Sequence, residues 1–132
     1  MKYLFLLAGC LVLPFASPAQ NTDLPAQDCC RSKYPRNHLD AFPTAALSQE
    51  YRRLKRAKCA ACNFYGSDFF QLLKVLGVRL NAASVADIKR VLGPPDAVKG
   101  PVLVYYWRGE HDYLRFTPTA AGAVSSWYYA LE

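Results

Sequence analysis

Val91-Leu92-Gly93-Pro94-Pro95-Asp96 marks the point at which the chain changes from helix to strand. Upstream of it, Val85, Ile88 and Leu92, with Val91 beside them, fall on one stripe of a helix over Ala83 to Leu92, and Lys89 and Arg90 fall on the wet side. Ser84 with Asp87 three residues on makes a short form of the capping box. Gly93 suits the left-handed closing position, and Pro94 lacks the N–H that another turn would need.

Downstream, three aromatic-rich strands are predicted. The first, Val102 to Arg108, alternates Leu103, Tyr105 and Trp107 with Val102, Val104 and Tyr106, and the Trp107 face is taken as the inner one. Gly109-Glu110-His111-Asp112 makes a four-residue hairpin loop. Tyr113 to Thr117 turns Leu114 and Phe116 inward and Tyr113, Arg115 and Thr117 outward. After a turn from Pro118 to Ala123 carrying Gly122, the strand Val124 to Leu131 puts Trp127, Tyr129 and Leu131 on one face. Ser126, Tyr128 and Ala130 take the other.

Two helices precede this unit. Ser67 caps a segment ending at Leu76, where Gly77 reads as the stop, and its Phe69, Phe70, Leu72, Leu73, Val75 and Leu76 predict burial nearly all round. Thr44, as N-cap, opens a helix running to about Ala61, with Leu47, Tyr51, Leu54 and Lys58 on one stripe. Residues 20–28 are a polar lead-in, and Arg31 to Pro43 reads as irregular chain. The expected fold is α+β: a two-layer sandwich with helices on one face of a three-stranded antiparallel sheet, and an N-terminal disulfide-linked helical arm. The division is residues 1–19 as signal peptide, 20–66 as the basic, cysteine-containing arm, and 67–132 as the helix-helix-three-strand unit.

The leader reading rests on Lys2, the apolar run from Tyr3 to Phe15, and the small residue Ala19 before Gln20. It predicts an exported protein, periplasmic or secreted. A rival processing site is Leu7-Ala8-Gly9-Cys10, which has the form of a lipoprotein signal and would make Cys10 a lipidated first residue. Cys29, Cys30, Cys59 and Cys62 then remain, an even number that reads as a structural disulfide set. The double cysteine pairs most plausibly across to the spaced pair, in an order the sequence leaves open. The rival for Cys59-Ala60-Ala61-Cys62 is thiol–disulfide exchange. That chemistry wants the pair at a helix N-terminus, and here it lies at the C-terminal end of a predicted helix. Asn63 stands where haem attachment needs histidine, and adjacent Cys29 and Cys30 suit one tetrahedral ion poorly.

The formal charge of +6 is concentrated: residues 31–58 hold eight basic side chains against Asp40 and Glu50. Arg52, Arg53, Lys55 and Arg56 form its densest part. An anionic membrane surface or an acidic protein is the partner such a cluster fits, and export disfavours nucleic acid. The same cations also suit the negative end of their own helix. Glu110, His111 and Asp112 form the one grouping with acid–base character, but consecutive side chains in a tight loop diverge. No catalytic residue, cofactor or metal is called for. Tyr106, Tyr113 and Tyr128, interleaved with Arg108 and Arg115 on the outer sheet face, have the composition favoured at protein interfaces.

Leu92-Gly93-Pro94-Pro95, Tyr105-Tyr106-Trp107, Leu114-Arg115-Phe116 and Gly122, in that order, resemble the small exported domains of the BamE (SmpA/OmlA) type. Members of that family assist outer-membrane protein assembly. The likeness covers about half of the chain beyond the leader. It implies an α+β sandwich that binds other envelope proteins, without catalysis or cofactor. The family's Gly-x-Thr before the helix is replaced by Asn81-Ala82-Ala83-Ser84.

Overall fold

The computed structural model of the chain describes residues 30–58 and 67–128. The leader with Cys10, the cysteines Cys29, Cys59 and Cys62, and the strand end from Tyr129 to Leu131 lie outside the described residues. A short 3-10 segment (Arg36–Ala41) leads into α1 (Thr44–Arg56), α2 (Asp68–Arg79) and α3 (Val85–Leu92). Then come β1 (Ala97–Lys99), β2 (Val102–Arg108), β3 (Asp112–Thr119) and β4 (Gly122–Tyr128). The fold is α+β. Each strand lies antiparallel to the one before it, in the order β1-β2-β3-β4.

The sheet therefore has four strands, not the three expected. β1 pairs Ala97 with Val104 and Lys99 with Val102. The three residues of β1 are too few to display a period, so the sequence pattern hides it. The helices cover one sheet face. Leu103, Tyr105, Trp107, Leu114, Phe116 and Ala123 meet Leu47, Tyr51, Leu54, Phe69, Leu72 and Ile88 in a single buried cluster. The Trp107 face of β2 is the inner one, as expected: its ring lies 4.3 Å from Phe70, which also meets Trp127 edge-on at 5.7 Å. Burying each such side chain contributes roughly 1.5–3 kcal/mol. Leu47, Tyr51 and Leu54 have no exposed surface, so α1, placed upstream of residue 66 as an arm, belongs to the same core as the sheet.

Several element ends differ from expectation. α1 stops at Arg56, and Lys58 lies beyond it at φ 58°, exposed and off the apolar stripe. The cap position is Pro43, without a side-chain bond, while Thr44 is the first helical residue and its Oγ1 accepts from Arg79 Nη1 at 3.3 Å. Gly77 is not a stop, since α2 continues to Arg79. A Cβ there would come within 2.9 Å of Leu114 Cδ2 and 3.2 Å of Trp127 Cζ2, so glycine is what lets helix and sheet approach. α3 begins at Val85, with Ser84 Oγ accepting from Asp87 N at 3.0 Å as the cap reading required. β3 runs through Pro118 to Thr119, leaving a two-residue turn, Ala120-Ala121. Pro118 pairs only with Ala123 of β4, so its missing N–H breaks no ladder to β2.

Gly122, read as a turn residue, has a second reason to be glycine. Its φ is 125°, and a Cβ would sit 2.2 Å from the Ala82 carbonyl oxygen. The α2–α3 connection is clamped along the β4 edge at this point. Ala82 N–H donates to Ala123 O and Ala123 N–H to Ala83 O, both at 2.8 Å. Ser125 N–H donates to Asn81 Oδ1 at 3.0 Å.

The Val91–Asp96 corner is held from two sides. A helix end leaves carbonyls without partners, and α1 supplies donors for those of α3. Ser48 Oγ donates to Val91 O at 2.6 Å, Arg52 Nε to the same oxygen at 3.1 Å, and Arg52 Nη2 to Arg90 O. From β2, the Tyr105 hydroxyl donates to Gly93 O at 3.0 Å. Gly93 itself lies at φ 82°, with its N–H on Lys89 O at 2.9 Å.

Candidate functional site

The outer sheet face carries a row of aromatic side chains because register aligns them. Tyr106 pairs with Tyr113, and Tyr113 with Tyr128, across β2, β3 and β4. The Tyr113 and Tyr128 rings stack at 4.8 Å and 15°, and Tyr106 meets Tyr113 edge-on at 6.1 Å and 78°. Parallel rings on neighbouring strands stand up from the sheet, so this row offers edges and hydroxyls to solvent. Lys99 Nζ lies 5.5 Å from the Tyr113 ring centre, and Arg115 Nε donates to Ser126 Oγ at 2.7 Å. Val104, on this same face, is nonetheless 1% exposed. Lys99, the partner of Val102 on the neighbouring strand, reaches Tyr113 on this same face.

Arg108 does not belong to this face. The register shifts between Tyr106 and Arg108, the mark of a bulge at Trp107. The extra residue upsets simple alternation. Arg108 instead pairs through Nε with Asp112, which alternates with Leu114 and Phe116 and has no exposed surface. Asp112, expected in a loop, is thus the first residue of β3, and the hairpin loop has three residues, not four. Glu110 and His111 are exposed while Asp112 is buried, so the grouping does not converge on a reaction site. Asp112 is the sole carboxylate in the four described strands, and it lies on the inner side. The outer face is aromatic and cationic.

The four cations of α1 have separate destinations. Arg52 serves the carbonyls of α3. Arg53 donates to both oxygens of Glu50, Nε at 3.0 Å and Nη2 at 2.7 Å, and to Arg31 O at 2.6 Å. Glu50, buried, also accepts from Lys33 N at 2.9 Å. The Arg53 hydrogen bonds hold its carboxyl below the ordinary value of 4.5, outweighing the upward push of burial. Lys55 Nζ pairs with Asp96 Oδ1 at 2.9 Å, above the Tyr105 ring at 5.3 Å. The other Asp96 oxygen accepts from Tyr106 N at 2.9 Å, occupying the edge of β2 beyond β1. Arg56 is exposed and has no partner among the described residues.

Cys30 is disulfide-bonded and packs against the core, with its partner outside the described residues. Among the described residues there is no cluster of His, Cys, Asp or Glu able to hold a metal ion, and no helix long and apolar enough to cross a membrane. The outer-face residue that sequence reasoning missed is Lys99. Its signal was the single lysine of a strand too short to recognise.

No family model, curated protein or solved structure matches this chain.

Proposed function

We propose that the chain is an exported, non-enzymatic module that binds another envelope protein through its outer sheet face. The observation that carries this reading is the row Tyr106–Tyr113–Tyr128, half-buried to exposed and flanked by Lys99 and Arg115, opposite a sheet face closed by three helices. Aromatic and arginine side chains are enriched at interface centres, where a large area is contributed with few torsions to freeze. The leader-like first residues, the even cysteine set and the BamE-like order of motifs support an envelope setting and an assembly-accessory role. In the same reading Cys29, Cys30, Cys59 and Cys62 form structural bridges.

The test is affinity capture from envelope extract with the wild-type chain and a Tyr113→Ala/Arg115→Ala variant whose melting temperature is checked first. A partner retained by the wild type and lost by the folded variant is the expected result. Equal retention by both removes the sheet face from the interface. One fast-reacting, acidic thiol after mild reduction, assigned to Cys59 or Cys62, would instead move the chain into the thiol oxidoreductases.

A further inference from the structure

A hollow of about 360 Å³ lies between the C-terminal half of α1 and the corner after α3. Pro94 is the exposed apolar residue of its lining, with Leu92 and Gly93 buried beside it, and Arg52, Lys55 and Arg56 complete the wall. This is the low end of the size range for ligand clefts. Among the described residues its lining shares no side chain with the tyrosine row, so it is a second surface.

The charge around the hollow is unbalanced. Of the three rim cations, Lys55 is paired with a carboxylate, Asp96. Arg52 is held by carbonyl oxygens, which fix its position without cancelling its charge. Arg56 has no ion pair among the described residues. The site thus keeps roughly two uncompensated positive charges, one of them already locked in place, which lowers the ordering cost of using it.

Shape and polarity narrow the occupant further. α1 and α3 both end here, and the negative ends of two helix dipoles disfavour a bare anion. An occupant must therefore gain from the apolar lining as well as from the rim. A flat membrane surface meets projecting cations, not a concave floor, and of the four cations on α1 only Arg56 projects unpartnered among the described residues. A peptide can place an apolar side chain and a neighbouring carboxylate at two depths.

We propose that this hollow binds an acidic peptide segment of a partner protein, seating an apolar side chain against Pro94 and an adjacent carboxylate on Arg52 and Arg56.

The experiment is fluorescence anisotropy with the full chain and a labelled peptide, Gly-Ser-Asp-Leu-Asp-Ser-Gly. Arg56→Glu should weaken binding about tenfold or more. Lys74→Glu, the same charge change on an exposed residue of α2, should change it less than about twofold. Replacing the peptide's leucine by glycine should weaken binding as much as Arg56→Glu does. Equal losses in the two charge variants, or an unaffected glycine peptide, overturn the proposal by reducing it to non-specific attraction. Absence of peptide binding overturns it too, as does capture only by vesicles containing phosphatidylglycerol, which assigns the cations to a membrane surface. Residues 20–28 of this chain include Asp23, Leu24 and Asp28. Tighter peptide binding by an Asp23→Asn/Asp28→Asn variant gives the hollow to the chain's own segment and likewise rejects a partner peptide. Tyr113→Ala/Arg115→Ala should leave the peptide affinity unchanged, so this site and the sheet face fail separately.

Discussion

On the helix-facing side of the sheet, Tyr105, Trp107, Leu114 and Phe116 are buried against three helices. On the other side, Tyr106, Tyr113 and Tyr128 stand at the neighbouring positions of the same strands and touch chiefly one another. Aromatic content is similar on both faces, so composition does not tell core from surface. What separates them is the two-residue period and the fixed register, which sends each side chain to one side of the sheet. The arginines repeat the contrast. Arg108 is drawn inward by the bulge to buried Asp112, whereas Arg115 lies on the open face against Ser126.

The strongest way to break this comparison is to truncate one aromatic on each side. Trp107→Ala should cost about 4 kcal/mol in urea unfolding, because it removes a fully buried ring packed on Phe70. Tyr128→Ala, on a residue 47% exposed, should cost under about 1 kcal/mol. Similar values for both would mean that the outer face is covered in solution. A second pair tests the arginines. Arg108→Met should cost about 3 kcal/mol by removing the counter-charge of a buried carboxylate, and Arg115→Met about 0.5 kcal/mol or less.

A smaller effect comes from two carboxylates held below their ordinary range. For Glu50 the folded-state value is lowered, so its contribution is complete above about 4.5 and disappears as pH falls through the lower folded value. Glu50→Gln should cost about 2 kcal/mol at neutral pH, and the gap to wild type should close on acidification. Asp87 is also lowered, chiefly by its Arg90 hydrogen bond and then by Ser84, but its side chain is about half exposed at the surface. Asp87→Asn should leave the acid limb of the stability curve almost unmoved. Thermal melts from neutral pH to about pH 3 measure both.

The parts of the fold that were legible in the sequence are those set by local patterns. Ser67 and Ser84 cap as expected, Gly93 closes α3, and β2 has its predicted bounds because Val102 to Arg108 announces itself. What was illegible depends on a distant partner. Gly77 carries the signature of a helix stop, yet it is glycine because Leu114 and Trp127, 37 and 50 residues along the chain, pass close by. The tyrosine row could be read from alternation, but Arg108 was misplaced because a bulge leaves no mark in the pattern. For Arg52 the sequence offered its own helix's dipole as the reason. The reason found is the neighbouring helix, whose carbonyls it meets only after α1 and α3 have packed.

The clamp between Ala82-Ala83 and β4 also bears on how copies of this chain treat one another. A sheet edge with free amides and carbonyls is a template on which another molecule can add a strand and begin a fibril. Here Ala123 is already hydrogen-bonded in both directions, and Ser125 N–H is taken by Asn81. At the opposite margin β1 is three residues long and ends in a lysine, while Asp96 occupies the amide of Tyr106 just past it. A newcomer therefore finds short, interrupted docking lines on both sides, and an antiparallel meander rich in tyrosine is kept from growing into an endless one.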